Sequence, residues 1–169
     1  MPRRQDMNAT TTRRPKALLL DGDPSLRLLA TELLARGYEV RAARDAASGL
    51  ELLLDELLDL DVLVVDRELP GRDGASLVRL VRDAGGERDL AIVVLADRPA
   101  RAERAQLLAL GADAVVDRVD GPRAAADVVV ATRRRGERGW LGSAGPAVRG
   151  ALLVARDAFA PRGLEPSPA

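Results

Sequence analysis

Short continuous apolar runs alternate along the chain with stretches whose apolar residues recur every three or four positions. Ala17-Leu18-Leu19-Leu20 is the first run, of strand length and apolar on both faces. It ends at Asp21-Gly22-Asp23-Pro24. Pro24 and Ser25 then open a predicted helix with Leu26, Leu29, Ala30, Leu33 and Leu34 on one face and Gly37 as its stop. The alternation repeats. Residues 38–42 read as a strand, and Asp45 caps a helix carrying Ala46, Leu50, Leu53, Leu54 and Leu57. Residues 61–66 read as a second buried strand, followed after a turn by a helix with Leu77, Leu80, Val81 and Ala84. Residues 90–95 and 114–116 complete the strands, and 99–110 and 122–134 the helices.

Five strand–helix units of this kind predict an α/β fold: a doubly wound, five-stranded parallel sheet with helices on both faces. The strand order 2-1-3-4-5 is expected by analogy with other five-unit folds. In such sheets ligands bind at the carboxyl ends of the strands. Residues 16–135 form the expected domain. Residues 1–15 read as a disordered basic arm. Residues 136–169 read as a glycine-rich loop, an amphipathic helix around Val148 to Phe159, and a disordered Pro-rich end.

The 169 residues contain no Cys and no His. Disulfides, thiolate metal sites and the usual general base are therefore absent, which argues against a hydrolase triad or a zinc enzyme. With aromatics at 2%, base-stacking platforms are disfavoured. The net charge is zero but unevenly spread: the first sixteen residues and residues 133–169 each carry +4, leaving −8 between them. No apolar run reaches the ~20 residues of a membrane span, and no secretory signal is recognisable, so a cytoplasmic protein without membrane contact is expected. The basic arms could at most give non-specific, salt-dependent nucleic-acid binding, and solubility is the plainer reading.

Asp21 follows the first strand and Asp66 ends the third, so two carboxylates should converge at the carboxyl end of the sheet. Paired carboxylates repel unless a proton or cation lies between them, and a hard cation such as Mg²⁺ fits oxygen ligands. Capping of the following turns is the competing reading of both acids.

Three segments carry a resemblance: Leu18-Leu19-Leu20-Asp21-Gly22-Asp23-Pro24, then Val64-Val65-Asp66-Arg67-Glu68-Leu69-Pro70 with Asp73-Gly74, then Leu110-Gly111-Ala112 running on to Asp117-Arg118. Together they resemble the receiver domain of bacterial response regulators (the CheY-like superfamily) from about Lys16 to Arg134. The resemblance implies a flavodoxin-like fold and a role in phosphorelay signalling rather than metabolic catalysis. It further implies Asp66 as the acceptor of a phosphoryl group from a histidine kinase. Mg²⁺ would be held by Asp21, Asp66 and the backbone carbonyl of Glu68. The expected partner is a histidine kinase, a downstream regulator or a second copy, engaged through the last two helices and strand five. In that region Arg101, Glu103 and Arg104 should be exposed. The row Val128-Val129-Val130 cannot all face one core, so part of it is expected as an interface patch, with cover by the helix around Val148 to Phe159 as the competing reading.

Several positions depart from the pattern. Gly22 stands where a second acid is usual, Ala96 where a Ser or Thr reads the phosphoryl group, Arg118 where a Lys pairs with it, and Val115 where an aromatic switch residue is usual. Arg118 is expected to hold Asp66 in a standing salt bridge. Asp97 would oppose an incoming dianion. These changes point to a degenerate pseudo-receiver with a weakened or lost metal site. A genuine Mg²⁺-dependent phospho-acceptor is the alternative. A remoter one is a haloacid-dehalogenase-like phosphatase, with Asp21 as nucleophile and Asp23 as general acid.

Overall fold

The computed structural model describes residues 13–56, 59–85 and 90–136. Its strands are β1 (Lys16–Leu20), β2 (Glu39–Ala43), β3 (Val62–Asp66), β4 (Ala91–Ala96) and β5 (Ala114–Asp117). Its helices are α1 (Leu26–Ala35), α2 (Ala46–Glu56), α3 (Gly74–Gly85), α4 (Arg101–Ala109) and α5 (Gly121–Gly136), with a short 3-10 turn at Arg118–Asp120. All strand pairs are parallel and the order is β2-β1-β3-β4-β5, as expected.

The parallel sheet splits the core in two, because successive strand residues face opposite sides. Leu18, Leu20, Leu63, Val65, Ile92 and Val94 pack with α2, α3 and Leu107 of α4. Ala17, Leu19, Val62, Val64, Val93 and Leu95 pack with α1 and α5. The central strands β3 and β4 are buried at every position, which is why they read as unbroken apolar runs.

Three expectations need correction. The second strand begins at Glu39 rather than Tyr38 and is largely exposed: it is an edge strand and pairs only with β1. The valine row of α5 is not an open patch, since Val129 is fully buried and Val128 and Val130 pack against the same core. Glu103 and Arg104 are half-buried and engaged rather than free. Glu103 pairs with Arg67 at 2.8 Å, and Arg104 donates to the Val115 carbonyl at 3.0 Å. Leu57, the arm through residue 12 and the tail from 137 onward lie outside the described residues. Arg13 donates to the Asp59 carbonyl at 2.7 Å and pairs with Asp61.

Candidate phosphoryl-acceptor site

Strand register brings the two acids together. Leu20 pairs with Val65, so Asp21 and Asp66 fall side by side one residue later. The turn after β3 is set by two backbone donors, one of them donating directly to Asp66. The Glu68 N–H donates to Asp66 Oδ1 at 3.1 Å, and the Gly74 N–H donates to the Arg67 carbonyl at 2.8 Å. Position 74 must be glycine: a Cβ there would stand 2.1 Å from the Asp66 carbonyl oxygen.

Asp21 is 1% exposed and Asp66 8%. The side chain of Arg118 enters from the end of β5 and places Nη2 2.8 Å from Asp21 Oδ2 and 3.0 Å from Asp66 Oδ1. One guanidinium nitrogen therefore bridges both carboxylates. Asp21 Oδ1 also accepts the Asp23 N–H at 2.7 Å. Burial pushes the Asp21 carboxyl above its ordinary range, against the opposing pull of the Asp23 amide and Arg118. Burial alone would lower the Arg118 guanidinium, but Asp66 and Asp21 outweigh it and hold it above its usual value.

The other predicted positions surround an open cleft of about 320 Å³. Gly22, Asp66, Glu68, Ala96, Asp97 and Arg118 all line it. Glu68 turns its carboxylate outward onto Arg67, 2.6 Å away. Ala96 closes β4 with no hydroxyl to offer, and Val115 is half-buried in β5. Gly22 is more than a missing acid. A Cβ at this position would stand 2.6 Å from Pro70 Cγ and 2.8 Å from its Cδ, so the proline ring fills the space of a side chain.

The residues as arranged do not fit Mg²⁺. The two carboxylates converge on a guanidinium, position 22 contributes no oxygen, and among the described residues no three acidic side chains gather to hold a metal. Nor does the site fit a phosphatase nucleophile at Asp21. Its carboxylate is buried, with Oδ1 accepting the Asp23 N–H and Oδ2 facing Arg118 Nη2 at 2.8 Å, while Asp23, the would-be general acid, accepts the Ser25 N–H at 2.7 Å. Contacts to Ser25 hold the Asp23 carboxyl below its ordinary range, the wrong direction for a proton donor.

Two residues escaped sequence reasoning. Pro70 was visible as part of the motif and turn after Asp66, but not as the ring that packs against Gly22. Asp117 ends β5, and its Oδ1 accepts the N–H groups of Arg98 at 3.0 Å and Val119 at 3.1 Å. An acid at the last position of a strand, two residues before a free amide, is a detectable turn-capping signal.

Comparison with known proteins bears on the family and the fold. The response regulator receiver domain matches residues 17–123. Protein PetR of Rhodobacter capsulatus is 37% identical over 100 residues, covering 59% of this chain and 40% of that protein. Sensor histidine kinase TmoS of Ectopseudomonas mendocina is 32% identical over 94 residues, 56% of this chain and 10% of that protein. The chain thus spans less than half of these curated relatives. A CheY-like receiver domain structure from Methanospirillum hungatei JF-1 superposes with a TM-score of 0.66 at 21% identity, covering 75% of this chain and 98% of that one, which speaks for the fold.

Proposed function

The chain belongs to the response regulator receiver domain family, and from that premise we propose that it is an atypical member, a pseudo-receiver. It would act in two-component signalling by presenting a constitutive surface to a protein partner, with little or no phosphorylation at Asp66. The observation that supports this reading is the Arg118 bridge. A phosphoryl group arriving on Asp66 needs a cation to offset its charge, and here the chain's own guanidinium takes the place between Asp21 and Asp66. Gly22, packed under Pro70, and Ala96 remove two further groups that would serve the transfer.

The partner surface in this reading is the face of α4, β5 and α5, where Leu108 and Val119 are exposed large apolar side chains. A histidine kinase, a downstream regulator or a second copy would bind there, in the cytoplasm. No described helix is long and apolar enough to cross a membrane.

One observation favours the alternative of a genuine acceptor. Asp66 lines the open cleft beside Ala96 and Arg67, so a kinase's phosphohistidine could reach it. The deciding experiment is an amide NMR titration with Mg²⁺ and beryllofluoride, run beside Asp66→Ala. No Asp66-dependent shifts are expected. Shifts spreading from β3 into β4 and β5, and lost in the variant, would replace the pseudo-receiver reading with the acceptor one.

A further inference from the structure

We propose that a second cavity, between the first turns of α1 and α5, is a binding site for a small uncharged molecule carrying a primary amide. The inference stands apart from whether Asp66 takes a phosphoryl group.

The cavity has a volume of about 80 Å³. Its wall meets that of the acceptor cleft at one residue. Asp21 lines this cavity and not the cleft, Asp66 lines the cleft and not this cavity, and Arg118 lines both. Leu26 and Leu29 of α1, Leu95 of β4 and Ala125 of α5 supply a buried apolar wall. Ser25, Gly121 and Pro122 are less buried and form the outer rim.

The polar part of the wall holds two atoms without hydrogen bonds. Asp21 is 1% exposed, and its Oδ2 faces Arg118 Nη2 at 2.8 Å. The two attract as charges, yet neither atom has a hydrogen-bond partner among the described residues. Such atoms are rare in folded proteins, because burial strips them of water without replacing its bonds. An acceptor and a donor thus stand side by side. A primary amide brings the matching donor and acceptor on one planar group. Its N–H would donate to Asp21 Oδ2, and its carbonyl would accept from Arg118 Nη2.

Charge and size narrow the class. Two carboxylates and one guanidinium leave one negative charge at this end of the sheet. The amino ends of α1 and α5 bring about half a positive charge each. The balance is close to zero, so an incoming ion would be desolvated with nothing to offset its charge, whereas a neutral head avoids that cost. A metal ion fits no better, since beyond Asp21 and Ser25 the wall carries no side-chain oxygen. A cavity of ~150 Å³ holds the ring of benzene, so about three or four heavy atoms fit here: an amide with a short carbon body. Arg118 also holds Asp66, at 3.0 Å. An occupant would therefore bear on Asp66 through Arg118, an input that needs no phosphoryl transfer.

The test is an NMR titration of the full chain with acetamide, and with acetate and acetamidinium as its anionic and cationic isosteres. Acetamide should give saturable shifts at Asp21, Leu26, Leu29, Arg118 and Ala125, with a dissociation constant of about 1–10 mM. Both ions should bind at least about tenfold more weakly. Ala125→Val adds carbon to the cavity wall and should weaken acetamide binding about tenfold or more. The isosteric series is read on the parent chain, so it decides even where the variant does not fold. Shifts that do not saturate, or that lie away from this cavity, would overturn the proposal. So would an ion that binds as tightly as acetamide, or a folded Ala125→Val chain that binds it as the parent does.

Discussion

Arg118 and Asp21 form an ion pair almost without water: Nη2 stands 2.8 Å from Oδ2, and the acid is 1% exposed. Removing the arginine leaves a buried carboxylate beside a second one. Breaking such a pair costs ~3 kcal/mol, because the remaining charge has no compensation. Arg118→Ala should therefore lower stability by about that much in urea unfolding without divalent cations. Added Mg²⁺ should restore part of the loss in the variant and stabilise the parent little, since the parent already carries its cation covalently. Equal responses in the two proteins would show that Arg118 does not hold a cation's place.

The burial of Asp21 has a consequence for acid stability. Its carboxyl is raised above the ordinary 3.8, burial being the largest cause. A raised acid binds its proton more tightly in the folded chain than in the unfolded one, so its contribution to stability falls as pH rises through that window. Asp21→Asn removes the titrating group. The stability of the parent relative to this variant should therefore improve as pH falls from about 6 to about 4. Asp23, held below its ordinary range by the Ser25 hydroxyl and amide, and Asp117, held below by the Val119 and Arg98 amides, titrate in both proteins and cancel in the difference. A difference that worsens with acid would mean that Arg118 outweighs burial at Asp21.

At position 22 sterics and charge act together. Restoring an acid there drives Cβ into the Pro70 ring at 2.6 Å. Gly22→Asp should cost about 1–3 kcal/mol by overpacking, and should not by itself create a cation site. Pairing it with Pro70→Ala removes the obstruction. A double-mutant cycle in urea should show a favourable coupling of about 1 kcal/mol or more, since the two positions touch. Additive costs would mean that the proline ring yields freely.

Whereas the strand order came by analogy with other five-unit folds, strands β1, β3 and β4 were legible because unbroken apolar runs of strand length have few other readings in a chain of this length. The exposure of β2 was not: a run bounded by Glu39 and Arg41 gives no sign that only β1 will cover it. The fourth strand runs one residue past the expected 90–95, to Ala96, which pairs with Asp117 across the sheet. Asp21, Asp66 and Arg118 could be placed at one end of the sheet from strand ends alone. That a single guanidinium nitrogen would reach both acids could not, since it depends on side-chain geometry across three strands. The same holds for Arg67 meeting Glu103, where each residue reads as an ordinary exposed charge.

At the opposite end of the sheet Arg82 performs a purely structural task. From α3 its Nε donates to the Gly111 carbonyl at 2.7 Å and Nη1 to the Leu90 carbonyl at 2.9 Å, while Nη2 pairs with Asp113 Oδ2 at 2.6 Å. Asp113 also accepts the Ile92 amide, so this one side chain joins α3, the start of β4 and the entry to β5. Asp113 is partly exposed, so solvent screens the ion pair, and most of the effect should come from the two carbonyl bonds. Arg82→Ala should cost about 2 kcal/mol. Arg82→Lys should recover little of it, since an ammonium on a flexible stem cannot reproduce the planar fork that serves three acceptors at once. Full recovery with lysine would reduce the role of Arg82 to its charge. Because the site lies at the other end of the strands, neither variant should alter how Asp66 responds to beryllofluoride.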